Sequence, residues 1–249
     1  MPNRIVKLAV INDLICPNCA IGQHELLAAI THCKEDLKLP LDFQIEFLPF
    51  RLINTAVVPQ DYEPKVQKTD FFVSKFGEER FRQLEQSIQK WGEEKGVPLA
   101  FRGVVSQSTR AHRLSRKAFA IGGSEMQLPY LNAIYRVHLQ EGKDVADVEV
   151  LSDVAAEVGM MTKAEALAFL KSDELEAEVN AMCDDARTKG VTGVPLTVVD
   201  GKWALSGGQS SDVFVQIFSK LAAVHSANEA PPFPRLMTPT LSAQTAVAV

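Results

Sequence analysis

Positive charge is scarce and scattered: 26 lysines and arginines against 31 acids leave a formal charge of -5 over 249 residues. No cluster of bases forms the footprint that a phosphate backbone requires, and the pI is near 5.6, so nucleic acid is excluded as a partner. Long apolar runs are missing as well. No stretch approaches the roughly 20 residues that span a bilayer. Met1-Pro2-Asn3-Arg4 lacks the charged region, apolar stretch and cleavage site of a secretory signal. No membrane partner is expected, and the expected location is cytoplasmic. Cysteine is sparse. Only Cys16 and Cys19 lie close together, while Cys33 and Cys183 are single. Zinc needs a second closely spaced pair of soft ligands, so no metal is expected. A two-residue spacer also closes too small a loop to restrain the unfolded chain much, which argues against a structural disulfide. In a reducing compartment such a dithiol cycles, and Cys33 and Cys183 read as buried thiols acting as small hydrophobes.

What is present is organised around Cys16-Pro17-Asn18-Cys19. An apolar run, Ile5 to Ile11, reads as a strand, and Ala20 to Lys34 reads as a helix. A strand that turns into a helix through C-x-x-C puts the first sulfur among the unpaired N–H groups at the positive end of the helix dipole, where a thiolate is favoured. Cys16 is therefore the expected nucleophile. Cys19, one turn further in, is placed to attack a mixed disulfide formed on Cys16 and is the resolving thiol.

Leu41 to Leu48 alternates apolar and polar residues as a half-buried strand does. From about Tyr62 to Lys189 the pattern is helical. Phe72, Phe76, Phe81, Leu84, Ile88 and Trp91 form one apolar stripe, most simply core rather than a cofactor box. Helices are expected over Ser108 to Ile121, Ser124 to Gln140, Asp147 to Val158, Thr162 to Leu170 and Asp173 to Thr188, broken by Gly122-Gly123, Glu141-Gly142 and Gly159. Thr162 and Glu165 match a capping box. Strands return at Leu196 to Val199 and Lys202 to Leu205, joined by Asp200-Gly201, a dipeptide suited to a two-residue hairpin turn. Ser210 or Ser211 caps a last helix. The expected division is a parent domain over residues 1–60 and 190–224, an inserted helical subdomain over 61–189, and a disordered tail over 225–249 rich in Pro, Ala, Ser and Thr.

Gly193-Val194-Pro195 sits just before the returning strand. A proline cannot donate to the sheet ladder, so it belongs at the strand's first position, either in trans or through a cis bond. Beside the strand, C-x-x-C and helix of the N-terminus, the cis form is the expected one. It would turn the Val194 N–H and C=O outward, as an edge able to pair with an extended peptide or with glutathione.

The run Val10 to Gly22, Pro49 to Leu52, Ala111-His112-Arg113-Leu114, and Gly190 to Pro195 continuing through Val198 to Gln209 together resemble the DsbA-family thioredoxin-like proteins of the FrnE type. The resemblance covers roughly residues 4 to 223. It implies an α/β protein: a thioredoxin fold with a large helical insertion between an N-terminal βαβ and a C-terminal ββα unit, a cis-proline loop at Pro195 facing the C-x-x-C, and dithiol/disulfide oxidoreductase activity. Related 2-hydroxychromene-2-carboxylate isomerases and kappa-class glutathione transferases supply an alternative, a glutathione-dependent isomerase or transferase acting on a small metabolite. Those relatives typically carry serine where this chain has Cys16, which favours redox work. The chain departs from the family at Asn18 and Ala20, where aromatics are usual, and at Gln107-Ser108, where Asn-Thr is usual.

Candidate substrate-binding residues are Pro17, Asn18, Val194, Pro195, His112, Ser206 and Gln209. His112 is read as a proton shuttle or, more simply, as a structural tie for the insertion. Ser206 and Gln209 lie in a Gly-rich turn that either contacts a glutathione tail or merely leads to a helix cap. No cofactor is required. Glutathione is a candidate co-substrate, the partner is a disulfide-containing protein or a small-molecule thiol, and a homodimer is left open.

Overall fold

The computed structural model describes residues 2–227 apart from 54, 57, 60 and 62–64. The expected tail from residue 228 onward lies outside them. Four strands form one sheet, β1 (Arg4–Asn12), β2 (Leu41–Pro49), β3 (Leu196–Val199) and β4 (Trp203–Ser206), in the order β2-β1-β3-β4. β1 pairs with β2 in parallel from Arg4–Leu41 to Asn12–Pro49, and antiparallel with β3 from Leu8–Val199 to Ile11–Leu196. The parallel pair requires a crossover, which α1 (Pro17–Thr31) supplies. The β3–β4 hairpin turns on Asp200 and Gly201, both with positive φ (51° and 66°), and with Val199 paired to Trp203 its loop also takes in Lys202, one residue more than expected. Asp200 also anchors β1, accepting from the Lys7 amide at 2.9 Å and from the Arg4 guanidinium at 2.7 Å.

Among the described residues six α-helices lie between β2 and β3: α2 (Lys68–Phe76), α3 (Glu78–Glu94), α4 (Thr109–Tyr135), α5 (Val148–Glu157), α6 (Lys163–Lys171) and α7 (Glu176–Thr188). This is the thioredoxin fold with a helical insertion. The single apolar stripe expected through Phe72 and Trp91 is in fact two helices, because Gly77, at φ 81°, breaks it. α4 is bent where expected: Gly122 and Gly123 leave helical geometry. It then widens into one π-helical turn, Arg136–Gln140. The Thr162–Glu165 capping box is formed. α7 starts at Glu176, three residues later than expected, after Leu175 in the left-handed region. α8 (Ser211–Ala227) closes the fold and runs past the expected tail boundary.

The core joins sheet and insertion. Phe47, Leu8, Phe214 and Phe218 are buried with Leu114, Tyr130, Leu131 and Ile134 of α4. β2 is an edge strand, and its free edge at Phe47 is taken by Gln127 of α4. The Gln127 Oε1 accepts from the Phe47 amide at 3.0 Å, and its Nε2 donates to the Phe47 carbonyl at 2.9 Å. Arg113, 2 % exposed, donates to the Phe169, Ser172 and Glu174 carbonyls where α6 ends, and lies 5.0 Å over the Phe169 ring. A cation at a helix C-terminus is favoured by the partial negative charge there. The arginine next to His112 thus ties α4 to the α6–α7 corner.

Candidate active site

Cys16 is the residue that starts α1. Its backbone is extended (φ -90°, ψ 116°), Pro17 occupies the first helical position, and the Cys16 carbonyl accepts from the Cys19 and Ala20 amides at 3.1 and 3.3 Å. The sulfur therefore sits at the helix mouth. All four cysteines are unpaired thiols and buried; Cys16 is 4 % exposed and Cys19 1 %. Burial, with the hydrogen bond and charge of Cys16 adding to it, holds the Cys19 thiol well above its ordinary pKa.

The bond between Val194 and Pro195 is cis. The Val194 carbonyl lies beside the thiol, 3.8 Å from the Cys16 sulfur, and Val194 is half-buried. Gly22 makes room for this loop, since a Cβ there would stand 3.0 Å from the Pro195 ring and 3.3 Å from the Gly208 backbone. Ser206 and Gln209 lie in the turn behind it. The Gln209 side-chain Nε2 donates to the Ser206 carbonyl at 2.6 Å, and the Gly207 backbone amide donates to the Pro195 carbonyl at 2.8 Å.

His112 is brought near the thiols only through another residue. Its Nε2 lies 2.9 Å from the Phe50 carbonyl, which can only accept, so this nitrogen carries a proton; the Asp13 carboxylate is 3.3 Å away. Asp13 is fully buried and also accepts from the Leu52 amide at 2.7 Å and the Ile15 amide at 3.4 Å, while its own backbone faces the Cys19 sulfur. His112 is thus the structural tie, holding the ends of β1 and β2 and the base of the C-x-x-C loop together. Asp13 was not among the expected site residues, although it stands three positions before Cys16. Tyr135 is a further addition. It receives a hydrogen bond from Asn12 at 2.9 Å, and burial, then the Cys19 charge, push its phenol well above the ordinary range.

A pocket of about 80 Å³ opens at Cys16, Pro17 and Asn18, and its opposite wall belongs to the insertion. Phe72, Leu84 and Ile88, read from sequence as plain core, line it, as do Lys68, Ser106 and His138. The Gln67–Val104 bridge and the Lys68 amide, which donates to the Gly103 carbonyl at 2.9 Å, hold the start of α2 against this wall. Gly103, at φ 97°, allows the close contact with the turn after His138, because a Cβ there would fall 2.2 Å from the Gly142 carbonyl. Lys68 is 8 % exposed, and burial lowers its pKa to about 8, partly offset by Asp144. Burial and the Lys68 charge lower His138 to about 3. Among the described residues no group of three or more His, Cys, Asp or Glu is arranged to hold a metal, and no helix is long and apolar enough to cross a membrane.

Comparison with known proteins gives a consistent result. A family model described as a DSBA-like thioredoxin domain matches residues 7–219. The chain is 22 % identical over 214 residues to an uncharacterised Bacillus subtilis protein, YwbO, spanning 86 % of this chain and 96 % of that protein. Among solved structures it is similar to a probable DsbA oxidoreductase from Streptomyces coelicolor (TM-score 0.74, 22 % identity, 93 % and 94 % of the two chains). It is also similar to a 2-hydroxychromene-2-carboxylate isomerase (TM-score 0.62, 17 % identity, 89 % and 97 %).

Proposed function

The chain belongs to the DSBA-like thioredoxin domain family, and on that footing we propose that it is a cytoplasmic thiol-disulfide oxidoreductase working through Cys16 and Cys19. The observation that carries this reading is the seat of Cys16 at the mouth of α1, 3.8 Å from the carbonyl of the cis Val194–Pro195 bond, with a protonated Cys19 one turn behind. The Cys16 thiolate attacks one sulfur of a substrate disulfide; a mixed disulfide forms and the other substrate sulfur leaves as a thiolate. Cys19 then gives up its proton and attacks the Cys16 sulfur. The enzyme disulfide closes, the second substrate thiol is released, and two electrons have passed to the substrate. The reverse sequence oxidises a dithiol.

Pro17, Asn18 and the Val194–Pro195 loop border the attacking sulfur and position the partner, which is a disulfide-containing protein or a small thiol. No cofactor enters these steps; glutathione is the candidate co-substrate that resets the couple. The test is disulfide exchange by Cys16→Ser and Cys19→Ser, with the reduction potential of the couple measured against glutathione. Cys16→Ser is expected to lower exchange about a hundredfold or more, and Cys19→Ser to accumulate mixed disulfides. Unimpaired exchange by both variants would refute the assignment.

A further inference from the structure

The pocket at Cys16 is apolar for most of its surface, yet three polar side chains of the insertion line it: Lys68, Ser106 and His138. Four buried side-chain polar atoms among the described residues have no hydrogen-bond partner, and two of these, Ser106 Oγ and His138 Nε2, belong to this wall. Ser106 is 2 % exposed and His138 1 %. Native structures rarely leave such atoms unmatched, so their concentration at one cavity points to a ligand.

The hydrogen-bonding character of each group can be read from its surroundings. His138 Nδ1 lies 2.9 Å from the Lys143 carbonyl, which can only accept, so Nδ1 carries the proton and Nε2 offers a lone pair. The Lys68 amine has three donors, and the contact found for it is one long hydrogen bond, 3.5 Å, to the His138 carbonyl. Asp144, the acid acting on Lys68, is itself paired with Lys65 at 3.5 Å. The wall thus presents an under-used cation, a hydroxyl and one strong acceptor.

We propose that this pocket binds a short aliphatic hydroxycarboxylic acid, with its carboxylate on the Lys68 amine and the Ser106 hydroxyl, its own hydroxyl donating to His138 Nε2, and its chain against Leu84 and Ile88 beside Cys16. An occupant in this position screens the thiol, so the same molecule regulates or competes for sulfur chemistry there. The inference goes beyond the exchange reaction and stands on binding alone.

The experiment uses the reduced full-length protein. Binding of 3-hydroxybutanoate is followed by titration calorimetry, and alkylation of Cys16 by iodoacetamide is followed by peptide mass spectrometry. Saturable binding that slows Cys16 alkylation is expected. Butanoate, without the hydroxyl, and butan-2-ol, without the carboxylate, should each bind about tenfold more weakly or worse. Lys68→Met, which removes the charge while keeping the apolar stem, and Ser106→Ala should each weaken 3-hydroxybutanoate by about tenfold. Absence of saturable binding, equal affinity for butan-2-ol, or undiminished binding by both variants overturns the proposal. Binding by a protein that fails every exchange assay would sink the preceding reading and keep this one; exchange without binding would do the reverse.

Discussion

The two walls of the cleft treat buried polar groups differently. On the sheet side Asn12 and Asp13, with His112 reaching them from α4, are bonded to one another's neighbours or to backbone, and every one of them has a short partner. On the insertion side Ser106 Oγ and His138 Nε2 have none, and Lys68 holds a single long bond. Gln23 Oε1 on α1 is the exception on the sheet side. A satisfied network fixes geometry, because each member loses its partner if any other moves. The sheet wall therefore holds two sulfurs in place, whereas the insertion wall keeps its bonding capacity for something that enters. One fold carries a rigid half and a receptive half.

The contrast is open to measurement, and the sheet wall should respond most. Asp13→Ala leaves the Leu52 amide and the His112 ring facing each other across a hole; urea unfolding at pH 7 should show a loss of about 3–5 kcal/mol. A loss below about 1 kcal/mol would show that this network does not hold the thiols.

The insertion wall should respond to acid. His138 in the folded protein protonates only near pH 3, because burial and then the Lys68 charge oppose it. The unfolded ring takes its proton near 6.5. Below pH 6.5 the unfolded state binds the extra proton, so stability falls as pH falls, by about 3 kcal/mol between pH 6.5 and 4. His138→Gln should flatten that part of the stability profile. An unchanged slope would place the acid sensitivity elsewhere.

The smallest effect is expected on the outer surface of the insertion. Arg136 pairs with both oxygens of Glu157 at 2.6 and 2.7 Å and with Glu141, but the arginine side chain is 39 % exposed. Arg136→Gln should cost less than about 1 kcal/mol, and salt should erase the difference. A larger, salt-resistant cost would mean that the insertion is held from its outer surface rather than from the cleft.

Local signals carried much of the architecture. C-P-N-C after a strand, Asp200-Gly201 between two short strand-like runs, Gly122-Gly123 inside a helical pattern and Thr162–Glu165 before another each act over a few residues, and each is where expected. The stripe from Phe72 to Trp91 misled because helical spacing shows which face is apolar but not what that face meets. Here part of it meets a pocket. Lys68 and His138 carried no usable signal, since one lysine and one histidine in a helical stretch look solvated until another segment covers them. Asp13 was visible only through its distance of three residues from Cys16.

Chain order alone was enough for the paired thiols, the helix that receives them, the closing hairpin and the presence of a helical insertion, because those depend on neighbours and on residue periodicity. Folding in three dimensions settled the rest. It set the cis Val194 carbonyl against a sulfur 178 positions away, put Asp13 under His112, and enclosed Lys68, Ser106 and His138 around one pocket. Burial and hydrogen-bond satisfaction belong to the assembled molecule, since water is excluded only where segments distant in sequence close over one another.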